Sequence, residues 1–370
     1  MSAHSTALID KKLYFIGGHD PTADTDTSFF YLDLNQSFNT SSPAFVNLST
    51  LPVGITFAAA CVGGSNDDEI FIFGGANQDK IISFNTKSQE WFSLITEGEP
   101  IRRRDMQAVI DNKGNIYMFG GYNEFNNTLT FFRDMIIFNI LTYTYSNEKI
   151  YNNPPNICGY TATLLQNGSI VYIGGIIRKE LLVQIEFITI YDINKDSWNY
   201  ITATRFINSS YIEDRYYHSA VLTHDGRIIC YGGIAESLST VSRSLIVLNT
   251  TSFEWNSPDN FGTNKPPRLY LHSANLVENY MIIGFGNVTS ENTSSRIYQL
   301  NIRNYTWIAY YEVPVPGINI INQPKPPTFS VVAVVGITIG VAIVLVLLLF
   351  FGIRFYRRAS LSFSSGAVEF

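Results

Sequence analysis

Three histidines recur at a fixed place before glycine. His4, His218 and His272 stand 13, 14 and 12 residues ahead of Gly17, Gly232 and Gly284, and Gln107 and Tyr160 hold the equivalent place ahead of Gly120 and Gly174. An arginine lies three or four residues earlier still, at Arg104, Arg215 and Arg268. Imidazoles can bind metals or move protons near neutral pH, and guanidinium groups can hold carboxylates. A position filled by His, Gln or Tyr in turn serves hydrogen bonding better than coordination. The expectation is therefore a polar tip that satisfies backbone near a narrow channel. His19 and His224 fall in loop or turn positions and take no role. Cys61, Cys158 and Cys230 are odd in number, widely spaced and set in apolar runs, which predicts buried free thiols. No zinc-type spacing is present, and neither a metal nor a cofactor is expected.

The elements that position these residues repeat. Glycine pairs close a short apolar run at Gly17-Gly18, Gly74-Gly75, Gly120-Gly121, Gly174-Gly175 and Gly232-Gly233, and a degenerate sixth copy reads Ile283-Gly284-Phe285-Gly286. Taking Gly284 as the sixth landmark, the intervals are 57, 46, 54, 58 and 52 residues. A second landmark is an Asn or Asp that ends the third strand, with an aromatic six residues later: Asn85 and Trp91, Asn139 and Tyr145, Asp192 and Trp198, Asn249 and Trp255, Asn301 and Trp307. The short polar residue suits a tight connection and the large ring fills a wedge between sheets. In the first copy Asp33 is followed by Asn39, so its outer strand is the least defined. With 26 Phe, 22 Tyr and 4 Trp, the composition favours half-buried strands over helices. A four-stranded unit of about 50 residues cannot cover both apolar faces alone, so the copies must close into a ring.

Together these landmarks resemble the kelch repeat, across roughly residues 1–312. The resemblance implies an all-β, six-bladed β-propeller of four-stranded antiparallel blades. Each blade is expected to draw all four strands from one repeat, leaving no strand to latch the termini. The loops after the glycine pairs and the loops opening each first strand then share one face. In kelch domains arginines at that opening position contact acidic peptides, so the resemblance implies such a use for Arg104, Arg215 and Arg268. The competing expectation is that they pair with carboxylates nearby, such as Asp105, Glu213 and Asp214.

The rest of the chain reads as an address. A proline-rich stalk over residues 313–328 leads to an uncharged segment, Phe329 to Ile353, long enough at about 1.5 Å per residue to cross a bilayer as one helix. Arg354, Arg357 and Arg358 follow, against Lys325 before the span, which puts the tail of residues 354–370 in the cytoplasm and the propeller outside or in a lumen. Ten N-glycosylation sequons, at Asn35, Asn39, Asn47, Asn126, Asn167, Asn208, Asn249, Asn287, Asn292 and Asn304, all precede the span. Gly336 and Gly340 form a small-xxx-small pair suited to helix dimerisation. Ser360, after Arg357-Arg358, fits a basophilic kinase, and its phosphate would weaken the attraction of the tail to anionic lipid. Residues 1–9 lack the layout of a signal peptide, so an in-frame export signal upstream of Met1 is expected.

A formal charge of -6 with no block of like charges argues against nucleic-acid binding. The leading expectation is a non-catalytic, membrane-anchored ectodomain that binds protein or glycan at the plasma membrane or in the secretory pathway. Two alternatives stand beside it. One is a copper radical oxidase of galactose-oxidase type, whose copper site needs two His, two Tyr and a Cys linked to one tyrosine. The other is a cytosolic-facing kelch adaptor tethered by its tail.

Overall fold

The computed structural model describes residues 1–20, 26–64, 66–76, 81–96, 98–126, 128–147, 154–178, 181–205, 211–236, 238–290 and 292–313. Met1–Val313 forms one compact unit. The predicted span at 329–353, residues 314–328 of the stalk, the Gly336–Gly340 pair, Ser360 and Asn208 lie outside the described residues. Among the described residues no helix is long and apolar enough to cross a membrane.

Six antiparallel sheets follow in chain order. Blade 1 uses Ser5–Ile9, Lys12–Ile16, Phe29–Asp33 and Phe45–Asn47; blade 2 uses Ala59–Gly63, Glu69–Phe73, Ile82–Asn85 and Glu90–Ser93. Blade 3 uses Ala108–Ile110, Asn115–Phe119, Met135–Asn139 and Thr144–Asn147; blade 4 uses Thr161–Leu164, Ser169–Ile173, Phe187–Asp192 and Ser197–Thr202. Blade 5 uses Ser219–Leu222, Arg227–Tyr231, Leu245–Asn249 and Glu254–Asn256; blade 6 uses Ser273–Val277, Tyr280–Gly284, Ile297–Asn301 and Thr306–Ile308. The all-β, six-bladed architecture is as expected.

Burial explains why each strand has its composition. The second strands run apolar without a break, as in Leu13–Ile16, Ile70–Phe73 and Ile228–Tyr231, because neighbouring blades cover both faces. First strands alternate buried and half-buried positions, as in Ser5–Ile9, because one face lines the channel. The Asn/Asp–aromatic landmark sets the outer hairpin. Trp91 pairs with Phe84, Tyr145 with Phe138, Trp198 with Tyr191, Trp255 with Leu248 and Trp307 with Leu300. The Asn249 side-chain oxygen accepts the amides of Thr251 and Ser252, and Asn85 does the same for Lys87 and Ser88. Trp255 is fully buried, and its indole N–H donates to the Ile185 carbonyl of blade 4 at 3.0 Å, so the ring fills the inter-blade wedge and satisfies backbone across it. Such a ring takes about 150–250 Å² out of water, worth about 4–6 kcal/mol at roughly 25 cal/mol per Å².

Ring closure departs from expectation. The first repeat inserts residues 34–44 before its outer strand, and Phe38–Asn39 within that insertion pairs antiparallel with Tyr310–Tyr311 beyond blade 6. Tyr311 is buried, stacks on Phe38 at 5.0 Å between centroids and donates to the Leu34 carbonyl. A two-stranded latch outside the blade sheets thus joins the ends of the ring, where packing alone was expected. It continues an apolar cluster that holds Leu13, Phe15 and Leu32 of blade 1 with Ile282 and Ile297 of blade 6. Blade 5 also gains a fifth strand, Thr204–Arg205, parallel to Glu254–Trp255 and drawn from the preceding connection.

Candidate functional site

One residue ahead of each blade's first strand sits beside the axis at the channel mouth. Ala3, Phe57, Asp105, Gly159, Tyr217 and Leu271 all have positive φ, between 53° and 64°. Their amides and carbonyls form a closed circle: Ala3 donates to Leu271, Leu271 to Tyr217, Tyr217 to Gly159, Gly159 to Asp105, Asp105 to Phe57, and Phe57 back to Ala3, at 2.8–3.2 Å. The left-handed conformation turns each peptide toward its neighbour, and the six bonds offset the strain it imposes on five non-glycine residues.

A second ring of contacts fixes the register between blades. The amide of the second glycine in each pair donates to the residue two before the mouth position in the next blade: Gly18 to Ile55, Gly75 to Arg103, Gly121 to Ile157, Gly175 to Arg215, Gly233 to Leu269 and Gly286 to Met1. A Cβ on Gly232 would lie 2.1 Å from the Leu269 carbonyl oxygen, which is why the first position of the pair takes glycine. The sixth pair is therefore Phe285-Gly286, one residue later than the Gly284 landmark, and Phe285 holds the glycine-like φ of 56°.

This register redistributes the arginines. Arg103, not Arg104, is the counterpart of Arg215. Each buried guanidinium donates to the first glycine carbonyl of its own blade, Arg103 to Gly120 at 3.2 Å and Arg215 to Gly232 at 3.1 Å. Arg103 also grips Asp134, whereas among the described residues no carboxylate forms a direct ion pair with Arg215, whose Nη2 is buried without a hydrogen bond and which feels only the nearby charges of Glu213 and Asp214. Arg104 is one residue later. It lies over the rings of Phe57 and Tyr122 and pairs with Glu124 at 3.1 Å. Arg268 is one residue earlier than the Arg215 position and is exposed. The three arginines do not share a position, and none forms a direct ion pair with Asp105, Glu213 or Asp214 among the described contacts.

The histidines sit between blades, each reaching back to the preceding one. His4 Nε2 meets the Ser273 hydroxyl at 2.8 Å, His218 Nε2 the Thr161 hydroxyl at 3.1 Å, and His272 Nε2 the Ser219 hydroxyl at 2.7 Å. Burial pushes His4 and His272 down to about 3 and His218 well below the usual range, so all three are neutral. Tyr160 donates to the Phe119 carbonyl from the same position, while Gln107 is one residue later and accepts the Ala162 amide. Among the described residues no three His, Cys, Asp or Glu side chains converge as metal ligands. The three cysteines are free and buried, with the Cys61 and Cys230 thiols pushed up to about 12 by burial.

Below the mouth lies a cavity of about 120 Å³ lined by the six mouth residues and the histidines. Tyr217 spans it, donating to Asp105 from two blades away at 2.8 Å. Burial raises the Asp105 carboxyl to about 6, against the Tyr217 bond and the Arg104 charge that lower it. Tyr217 thus bridges the axis at this mouth, while a larger cavity of about 290 Å³ continues along the first strands, lined by Thr6, Ala60, Ala108, Ala220 and Asn275 among others.

The outer part of the same face is more open. Two hairpins rise from it, Tyr122–Phe125 with Thr128–Phe131 on blade 3 and Ile176–Arg178 with Leu181–Leu182 on blade 4. They and the adjacent loops expose Ile101, Phe125, Leu129, Leu181, Tyr211 and Leu238, by 43% to 75%. The turns of the opposite face contribute Leu141 and Tyr143, both on blade 3. No spacing rule pointed to this surface. Its signal is a set of apolar residues in the polar loops that open, or follow the glycine pair of, the third, fourth and fifth repeats.

A sequence profile described as the Attractin/LZTR1 beta-propeller matches residues 70–313. Among curated proteins, the chain is 23% identical to "Putative protein tag-53" of Caenorhabditis elegans over 237 residues, 60% of this chain and 17% of that one. It is 29% identical to Kelch domain-containing protein 3 of Bos taurus over 124 residues, 32% of this chain and 31% of the other. The chain thus spans less than a third of either relative. The solved structure of YjhT superposes with a TM-score of 0.65 at 13% identity, covering 83% of this chain and 96% of that one, a likeness of fold.

Proposed function

This chain belongs to the Attractin/LZTR1 beta-propeller family, and from that premise we propose that its propeller is a non-catalytic ectodomain that binds a protein, or a glycan, through the glycine-pair face. The segment 329–353 holds it in a membrane of the secretory pathway or cell surface, with residues 354–370 in the cytoplasm. The observation that carries the binding face is the exposed apolar set on blades 3 to 5. A rigid sheet scaffold holds projecting hairpins, with Phe125 and Leu129 near the tip of the one on blade 3, which is how loops on a fixed frame supply recognition. The histidines, each engaged with a hydroxyl of the preceding blade, support binding on the rim rather than chemistry in the channel. Arginine asymmetry about residues 329–353 supports the orientation. So do the sequons, since Asn35, Asn39, Asn47, Asn126, Asn167, Asn249, Asn292 and Asn304 are exposed.

The test is proximity labelling from the full chain in cells, comparing the natural sequence with Phe125→Ser/Leu129→Ser. Both side chains are at least half exposed, so the fold should persist. The double variant is expected to lose the partners that the natural chain labels on the outer side of the membrane. Unchanged labelling, or labelling of cytosolic proteins by the propeller, would overturn the proposal.

A further inference from the structure

Between blades 4 and 5 the same face opens into a groove of about 400 Å³ lined by Leu181, Leu182, Tyr211, Glu213, Asp214 and Glu236, among others. Its apolar wall comes from the blade 4 hairpin and Tyr211, the latter 63% exposed, and Leu238 stands 75% exposed on the turn that carries Glu236. Its acidic wall is held in place. One oxygen of Glu213 accepts the Ser242 amide at 2.6 Å and hydroxyl at 2.7 Å, and one oxygen of Asp214 accepts the Ile185 amide at 2.7 Å. Burial first, then the charges of Glu186 and Glu236, push the Asp214 carboxyl up, against the Ile185 amide and Arg205. Asp214 is therefore repelled by Glu186 and Glu236 in a partly dry place, whereas burial of Glu213 is outweighed by its bonds to Ser242 and Arg243 and by the Arg215 charge, which hold its carboxyl down. Of the adjacent cations, Arg205 is bound to Glu186 and lies over the Tyr211 ring, and Arg215 is buried beneath Glu213 with its guanidinium on the Gly232 carbonyl.

We propose that this groove docks a partner peptide segment carrying a lysine or arginine beside an aliphatic residue. The cation would relieve the repulsion between Asp214 and Glu236 beside the ionised Glu213, and the aliphatic side chain would cover Tyr211 and Leu181. The charge of the occupant is opposite to that of the acidic peptides first expected at Arg104, Arg215 and Arg268. The inference rests on the binding-face reading above and narrows it to one groove and one partner chemistry.

The experiment uses the full chain in detergent micelles and fluorescein-labelled dodecapeptides built from Arg-Leu-Gly, Glu-Leu-Gly or Arg-Ser-Gly repeats, read by fluorescence anisotropy. The Arg-Leu-Gly peptide should bind best. Glu236→Lys and Tyr211→Ser should each weaken it by about tenfold or more, the scale of losing one partly desolvated charge or anchor contact. Glu90→Lys on the exposed outer strand of blade 2 makes the same change in net charge and should leave binding intact. Equal loss in Glu90→Lys, or no loss in Glu236→Lys, would overturn the groove as the site. A groove filled by a second copy, seen as a dimer in light scattering that Glu236→Lys dissolves, would also overturn it. If the peptides fail but Phe125→Ser/Leu129→Ser still abolishes labelling, the groove assignment falls and the binding face stands.

Discussion

At the residue scale, Asp105 is the most informative group, because a carboxyl is placed at the mouth where the backbone must be left-handed. Asp tolerates that conformation, and its side chain gains Tyr217 as a donor. The cost is charge burial. With a folded value of about 6 against an ordinary 3.8, the folded state holds a proton that the unfolded state has released between those limits. Stability from this group is therefore full below about pH 4 and declines as pH rises through about 6, by on the order of 3 kcal/mol at 1.36 kcal/mol per unit. Asn keeps the shape, the left-handed tolerance and an acceptor for Tyr217 without the charge. Asp105→Asn should raise the melting temperature at pH 7.5 and change it little at pH 4. Equal shifts at both pH values would show that burial of charge is not what the site costs. Gly232 tests the inter-blade approach. Gly232→Ala would bring a methyl to 2.1 Å from the Leu269 carbonyl at a φ of 68°, and should cost several kcal/mol in denaturant unfolding, as overpacking and backbone strain together do. A loss below about 1 kcal/mol would mean that the blades can part cheaply there.

At the element scale, the latch formed by Phe38–Asn39 and Tyr310–Tyr311 closes what the blades alone leave as a packed seam. Tyr311→Ala removes a buried ring, its stack on Phe38 and its bond to Leu34, and should destabilise by about 3–5 kcal/mol, the range for large aromatic truncations. Chemical unfolding checks this. A neutral result would place closure entirely in the mouth circle and the seam between blades 1 and 6. The blades themselves were legible because two independent landmarks repeat with them: a glycine pair where blades nearly touch, and an Asn or Asp six residues before an aromatic. Both are imposed by local geometry. The latch was not legible, since two-residue strands some 270 positions apart carry no periodic signal. Register near the mouth was legible only to within a residue. Arg102-Arg103-Arg104 offers three arginines for one position, and the buried Gly120 carbonyl selects Arg103. Gly284 and Gly286 similarly offer two glycines, and the Met1 carbonyl selects Gly286. The groove was invisible in sequence because its walls come from a hairpin of one repeat and the opening loop and turn of the next.

At the scale of the whole molecule, the ring presents one face whose exposed apolar residues run from the loop after blade 2, with Ile95 and Ile101, to blade 5, and whose axial mouth is bridged by Tyr217. If the propeller is exported as proposed, the exposed sequons should carry glycans. Asn287 should not, because it is half-buried and bridged to Tyr270, with its side-chain oxygen buried among protein atoms. Site-resolved mass spectrometry of the chain from a secretory host checks both statements, and an unglycosylated chain would count against export. The central claim, that this face and not its opposite is the binding surface, is tested most directly by a photo-crosslinking residue placed in turn at Phe125 and at Leu141 in the full chain. Leu141 is 70% exposed against 66% for Phe125, so accessibility does not favour the outcome. Protein adducts are expected from position 125 on the outer side of the membrane and none from 141. Adducts from 141 with none from 125 would contradict it.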